Sequence, residues 1–174
     1  IIAVPRAYMF DLMEEKPPGS GNWVPLPGIV CYKDFPTLVS DSLHFMMNVT
    51  GGPYVPLIGA TLVPDLFGNV HARKAIAYSL NFTKLIQEAW FNEAEQPATW
   101  HISGLVPDFR PDCPKITKYA KNDTRVIEEL KAAIFDGTSL WDSGFTTWLV
   151  YNEGNDQRKI ACELIEYNIE HLPG

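Results

Sequence analysis

Residues 64–90 read PDLFGNVHARKAIAYSLNFTKLIQEAW, and they predict two helices placed almost end to end. Asn69 precedes the first helix and Asn81 the second. Asparagine is a favoured N-cap because its side-chain oxygen accepts a hydrogen bond from a free N–H of the first turn. The apolar residues recur at helical spacing, and they are Ala72, Ala75, Ile76 and Leu80, then Phe82, Leu85, Ile86, Ala89 and Trp90. The stretch therefore predicts two helices that each turn one face toward a core.

Two more helices are predicted further along the chain. One covers residues 124–135 and is stopped by Gly137, and the other follows the turn Asn152-Glu153-Gly154. Their apolar stripes are Val126, Ile127, Leu130, Ala133 and Ile134, and then Ile160, Ala161, Leu164, Ile165 and Leu172.

Strands are predicted at residues 1–4, 28–33, 42–49 and 145–151. In 42–49 apolar and other residues alternate, as in a half-buried strand. Residues 145–151 are rich in aromatic and β-branched side chains. A short helical piece is predicted around Tyr8, Leu12 and Met13, a loop at the Pro- and Gly-rich residues 16–27, and irregular structure at 96–122. Helices that alternate with single strands indicate the α/β class.

Size and charge limit the possible functions. The 174 residues fit one domain, 1–174, and the apolar content of 46% is enough for a sizeable core. The formal net charge is −7 and no basic cluster stands out, so we expect no nucleic-acid partner. No apolar run reaches eighteen residues. The chain starts at Ile1 and ends where a helix would stop, so we expect it to be a segment of a longer protein.

Residues that could carry chemistry are few. None of His44, His71, His101 and His171 is spaced as a metal-ligand pair, so the spacing predicts no metal site, and only assembly through the fold stays open. Cys162 lies beside the stripe of the last helix, where a buried, unreactive thiol is the default. The three cysteines, Cys31, Cys113 and Cys162, can form one disulfide and leave one free thiol, or they can all remain thiols. Gly19-Ser20-Gly21 lacks the lysine of a phosphate-binding loop.

An enzymatic alternative depends on residues of the proline-rich segment. Asp108 and Asp112, with His101, are candidates for general acid–base work, and the two aspartates could also be ligands for a hard cation. A solvated loop with an internal ion pair is the favoured interpretation. Trp100, Trp141 and Trp148 lie in loops or at strand ends, where aromatic side chains can line a cleft. The sequons at Asn48, Asn81 and Asn122 slightly favour a location outside the cytoplasm.

Residues 64–81 resemble the signature of the ABC-transporter solute-binding proteins that take up peptides, dipeptides and oligopeptides. Ala72-Arg73-Lys74-Ala75 stands for the Val-Arg-x-Ala of that family, and Asn81 stands where the family has Asp. Further segments resemble successive pieces of the family in the same order: 1–5, 42–48, 95–98, 123–135 and 149–161.

The resemblance implies a type II periplasmic-binding-protein-like fold, in which two α/β lobes, each a mixed sheet flanked by helices, close on a solute. This chain would be most of the second lobe and would not be an enzyme. Its partners would be a peptide or other small solute, the first lobe and a membrane permease. The location would be extracytoplasmic, in the periplasm or on the outer cell surface, and membrane-associated in the full-length protein.

The resemblance also implies where a ligand would bind. The family turn that corresponds to residues 151–157 faces the cleft, which selects Tyr151, Asn152, Glu153, Gly154, Asn155 and Gln157. The loop 99–107, with Trp100 and His101, is the second candidate. No Arg or His occupies 153–157, so the turn does not predict a carboxylate clamp, whereas the helix start at Asn155 can offer N–H groups to an anion. Plain surface turns at both places, and a surface interaction domain, stay open as alternatives.

Overall fold

The computed structural model describes residues 6–20, 22–31, 41–47, 65–96 and 119–174. The chain divides into two compact units, Ile1–Thr37 and Leu38–Gly174. Helices are mixed with short two-stranded sheets, which agrees with the α/β class. One domain over residues 1–174 stays a prediction, as does the strand at 1–4, which lies outside the described residues.

The first unit contains an antiparallel hairpin. After a 3₁₀ helix, Arg6–Asp11, strand β1 (Met13–Glu15) pairs with strand β2 (Trp23–Pro25). The Phe10 ring meets the Trp23 ring edge-on, with the ring centres 4.5 Å apart. This aromatic contact and the ladder fix the hairpin against the preceding helix.

Two predictions in this unit were wrong. Residues 23–25 of the predicted loop are a strand, and residues 28–31 of the predicted strand have no strand assignment. The Glu15 carboxylate accepts a hydrogen bond from the Gly19 N–H at 2.7 Å, and the Lys16 N–H donates to the Asn22 carbonyl at 2.9 Å. The Pro and Gly residues thus form the connection of a hairpin. Such residues indicate a turn, but they do not indicate that the residues on either side pair as strands.

The second unit contains a 3₁₀ helix, Leu66–Gly68, and five described α-helices: α1 (Val70–Ser79), α2 (Phe82–Trp90), α3 (Asp123–Ala132), α4 (Leu140–Ser143) and α5 (Asp156–Glu170). The four longer ones all begin behind an asparagine cap. The side-chain oxygens of Asn69, Asn81, Asn122 and Asn155 accept hydrogen bonds from the N–H groups of His71, Lys84, Arg125 and Arg158, respectively. The predicted caps Asn69 and Asn81 are confirmed, because each satisfies a donor that the helix leaves free.

Helix α1 lies between two apolar clusters. The first holds Leu66, Ala72, Ala75, Val126, Leu130, Ala133 and Leu140. The second holds Ile76, Leu80, Leu85, Ala89, Leu164 and Ile165. Ala75 and Val126 are 0% exposed, so α1 and α3 approach each other through small side chains.

The end of α1 is tied to the helices on either side of it. The Tyr78 carbonyl accepts from the Asn122 N–H at 3.0 Å, and the Ser79 carbonyl accepts from the Asn168 side-chain amide at 2.8 Å. Carbonyls in the last turn of a helix have no hydrogen-bond donor within that helix, so each of these bonds satisfies an acceptor that the helix leaves free. The bonds also fix α3 and α5 relative to α1.

A second hairpin corrects the predicted end of α3. The helix stops at Ala132, and β3 (Ile134–Phe135) pairs with β4 (Thr138–Ser139). Asp136 and Gly137 between them have φ of 49° and 83°. Positive φ at both central residues belongs to a two-residue hairpin turn, for which Asp-Gly is a preferred sequence. Gly137 therefore turns a hairpin and does not stop a helix.

Both strand predictions in this unit were also wrong over the residues that the structure describes. Residues 41–47 have no strand assignment, and in 145–151 only Thr146 makes a single bridge. The alternation itself is present in 145–150, since Phe145, Thr147 and Leu149 are half-buried and the residues between them are exposed. Phe145 and Leu149 pack on the two clusters, and Phe45 packs on Phe67 with ring centres 4.9 Å apart. Both segments therefore cover the core.

Among the residues that the structure describes, no helix combines the length and the apolar character that crossing a bilayer requires.

Candidate functional site

The turn between residues 150 and 155 is held at the surface by residues on both sides that pack on the second cluster. Before it, Leu149 packs on the second cluster, and after it Leu164 and Ile165 of α5 are buried in the same cluster. Between these anchors Val150 is 67% exposed and Tyr151 is 41% exposed. The sequence thus places a short exposed segment on a fixed base, which is the usual arrangement of a binding loop.

Gly154 sets the shape of the turn. Its φ is +76°, a conformation that side chains with a Cβ rarely adopt, and the space around it is open. The Asn155 N–H donates to the Asn152 carbonyl at 3.2 Å, and the Asn155 side chain then caps α5. The turn and the first turn of α5 therefore form one hydrogen-bonded piece.

Arg158 folds back over this turn. Its Nη1 donates to the Asn152 Oδ1 at 2.9 Å. Its Nη2 and Nε donate to the Asp41 Oδ1, at 2.8 and 3.3 Å. The side chains of Arg158 and Asp41 are 51% and 37% exposed, so water screens their attraction. The guanidinium joins the turn to a carboxylate far away in the sequence.

The predicted ligand-binding residues of the turn lie together. Tyr151, Asn152, Glu153 and Gly154 are exposed, and Asn155 and Gln157 are half-buried. One N–H group of the helix start is already used, because the Asn155 side chain accepts from the Arg158 N–H. Trp100 and His101 of the second candidate loop lie outside the described residues, and so do Asp108 and Asp112 of the enzymatic alternative.

Two of the three singled-out tryptophans lie in different surroundings. Trp141 packs on the first cluster, with the Lys131 ammonium 5.5 Å from its ring centre. A Cβ on Gly174 would come within 2.6 Å of the Trp141 ring, so this residue covers part of it. Trp148 is 53% exposed and precedes Tyr151 by three residues. Of these two, Trp148 is the better placed to meet a ligand at the turn.

Each histidine that the structure describes contacts a neighbouring side chain. The His71 Nδ1 lies 2.6 Å from the Glu129 Oε2, which joins α1 to α3. The His44 Nε2 lies 2.9 Å from the Ser42 hydroxyl, and the His171 ring stacks on Tyr167. No group of three or more His, Cys, Asp or Glu side chains in the described ranges is arranged to hold a metal ion.

Cys31 and Cys162 are both free thiols and half-buried, while Cys113 lies outside the described residues. Burial raises the pKa of the Cys162 thiol, and the nearby carboxylates of Glu163 and Glu166 raise it further. Both causes disfavour the thiolate, which is the nucleophilic form. These surroundings agree with an unreactive thiol, but Cys162 is half-buried and not buried as predicted.

The sequence pattern did not predict Arg158 and Asp41 as part of the site, because residues 153–157 of the turn contain no cation. Arg158 lies one position further on, and at this position of the first helical turn a long side chain can reach back over the N-terminal loop. The signal was present in the sequence as an arginine three residues after an asparagine cap. Asp41 gave no signal, because it lies 117 residues away from Arg158.

Comparisons with protein-family models, with curated proteins and with solved structures give no match for this chain.

Proposed function

We propose that the chain is a lobe of an extracytoplasmic solute-binding protein of the peptide type, and that the turn at residues 151–157 contacts the solute. The observation that carries the proposal is this turn, which is exposed, rich in hydrogen-bonding groups and flanked by residues that pack on the second cluster. The resemblance of residues 64–81 to the peptide-binding family supports it.

The chemistry of the turn suits a solute of variable sequence. Asn152, Glu153 and Gln157 offer donors and acceptors, and the backbone around Gly154 is open to approach. Tyr151 of the turn, and Trp148 three residues before it, add exposed aromatic surface. Aromatic walls with a few polar contacts bind ligands without demanding one side chain, as an uptake protein for mixed peptides needs.

In this proposal the solute closes a hinge. A first lobe, the partner of this one, would bind the other side of the solute, and the closed form would be presented to the membrane permease of an ABC transporter. The type II fold, with its mixed sheet flanked by helices, and the periplasmic or outer-surface location belong to the same proposal. It needs no catalytic residue, metal or cofactor.

The test is an NMR titration of the ¹⁵N-labelled 174-residue chain with a mixture of unmodified tripeptides. A single lobe binds weakly, and chemical shifts report binding even in the millimolar range. We expect saturable shifts concentrated in residues 151–157. A chain whose spectrum does not change with tripeptides would contradict the peptide proposal.

Two tyrosine variants make the test specific. Tyr151→Ala removes the aromatic ring of the turn and is expected to weaken binding by about fivefold or more, as for an aromatic contact worth ~1 kcal/mol. Tyr167→Ala is the matched control, because Tyr167 is 55% exposed on α5 and stacks on His171. Equal losses in the two variants would argue against the turn as the contact surface.

A further inference from the structure

The sequons at Asn81 and Asn122 lie in different surroundings in the folded chain. Asn122 is exposed, and so is Thr124, the third residue of its sequon. Asn81 is half-buried, and Asn48 of the remaining sequon lies outside the described residues. An N-linked glycan is bulky and hydrated, so the asparagine that carries it has to face water in the folded protein. By this criterion Asn122 is the better acceptor of the two.

The Asn122 side chain can carry a glycan and keep its structural role. Its Oδ1 accepts a hydrogen bond from the Arg125 N–H at 3.0 Å and caps α3. A glycan would be attached to Nδ2, which has no hydrogen-bond acceptor in the part of the chain that the structure describes. A glycosylated amide keeps its carbonyl oxygen, so the cap does not have to be given up.

The backbone around Asn122 is also independent of its Nδ2. The Asn122 N–H donates to the Tyr78 carbonyl at 3.0 Å, which fixes the residue against the end of α1. Its φ of −154° and ψ of 98° are those of an extended residue before a helix. The acceptor asparagine is therefore exposed at a fixed place on the surface.

Asn81 caps a helix in the same way, but its neighbours are packed. Leu80 before it is 8% exposed, and Phe82 after it packs on the second cluster. Since α1 ends at Ser79 and α2 begins at Phe82, Asn81 occupies the corner between two helices. A glycan on Asn81 would have to leave from this corner, and we expect folded chains to carry none there.

We propose that Asn122 is an acceptor site for an N-linked glycan, with an oligosaccharide on a lipid diphosphate as the donor. The Nδ2 atom forms a bond to the anomeric carbon of the sugar, and the bond from that carbon to the diphosphate oxygen breaks. The lipid diphosphate leaves, the amide gives up one proton, and no atom is oxidised or reduced. Thr124 supplies the hydroxyl residue that a sequon requires at its third position. The site does not depend on solute binding at residues 151–157.

The test directs the 174-residue chain into the secretory pathway of a eukaryotic cell line and maps the protein from cells and medium by glycopeptide mass spectrometry. We expect a glycan on Asn122 and none on Asn81. Thr124→Ala destroys the sequon and leaves the capping side chain in place, so the glycan should be lost. Thr83→Ala is the matched control at the start of α2 and should leave the glycan pattern unchanged.

Two measurements can overturn the proposal. An unmodified Asn122 contradicts it directly, and a glycan on Asn81 at equal occupancy contradicts the argument from burial. Urea unfolding then compares the glycosylated chain with Thr124→Ala, whose midpoints should coincide if Oδ1 still caps α3. A lower midpoint for the glycosylated chain would show that cap and glycan exclude each other, which the proposal does not allow.

Discussion

The packing between α1 and α3 and the turn before α5 hold their side chains by different means. Between α1 and α3, Ala75 and Val126 are fully buried, and the contact is apolar. At the turn, Asn152 and Arg158 are exposed, and the contacts are hydrogen bonds and one ion pair open to water. Removal of apolar surface from water stabilises the packing of α1 and α3. The turn depends instead on polar contacts for which water competes.

The difference predicts that stability and recognition can be changed separately. Substitutions between α1 and α3 should change the free energy of unfolding by kilocalories per mole. Substitutions at the turn should change binding and leave unfolding nearly unaltered. The following experiments, from the largest expected effect to the smallest, test that separation.

Leu130→Ala should have the largest effect. Leu130 is 4% exposed in the first cluster, and truncation of a buried leucine costs about 2–5 kcal/mol from lost burial and the cavity left behind. Urea unfolding followed by circular dichroism measures the change. Ile134→Ala is the control, because Ile134 is 51% exposed and should change stability by about 0.5 kcal/mol or less. Similar losses in both would mean that α3 is not packed as described.

Asn122→Ala should have an intermediate effect. It removes the oxygen that accepts from the Arg125 N–H at the start of α3, a loss of about 1 kcal/mol in unfolding free energy. Asn122→Ser keeps a capping oxygen and should recover most of the loss, which urea unfolding can resolve. If the serine variant were as unstable as the alanine variant, the cap would not be the cause.

Arg158→Gln should have a small effect on stability. The variant breaks an exposed ion pair, so the unfolding free energy should fall by less than about 1 kcal/mol. Lys84→Gln, at another exposed pair, gives the comparison in the same urea experiment. A loss above about 2 kcal/mol for Arg158→Gln would remove the distinction between the two regions.

Cys162 should react slowly with alkylating reagents. Its pKa is raised by burial and by Glu163 and Glu166, so the thiolate forms only at a higher pH than for an ordinary cysteine. We measure the rate of iodoacetamide labelling across a pH series by peptide mass spectrometry. The labelling rate of Cys162 should increase only at a higher pH than that of an unstructured cysteine peptide. Glu163→Gln should shift the rise to lower pH, and an unchanged profile would exclude that carboxylate as a cause.

The helices could be predicted from sequence because their signals are local. Asn69 and Asn81 cap within a few residues of the donors that they satisfy, and the apolar spacing lies within each helix. The segments 42–49 and 145–151 have an alternating pattern, but a strand also needs a neighbour to pair with, which a single sequence does not indicate. The hairpin at Asp136-Gly137 was predictable from its turn residues and was missed because the glycine follows a helix.

Of the candidate site, the turn could be predicted from the sequence and the ion pair could not. The turn follows from Asn152, Gly154 and the asparagine cap of α5, all within a few residues. The ion pair of Arg158 with Asp41 joins positions 117 residues apart, so it depends on the folded second unit. Local patterns located the turn, while its charge environment required the structure.

The four asparagine caps also decide how the helices respond to acid. An amide oxygen does not titrate, so the caps of α1, α2, α3 and α5 persist where an aspartate cap would become protonated. The first turns of α1 and α2 contain no acidic residue, whereas α3 begins with Asp123 and α5 with Asp156. These two carboxylates interact favourably with the positive end of the helix dipole. The start of α5, which carries the candidate site, therefore combines a cap that does not titrate with an opposite charge in its first turn.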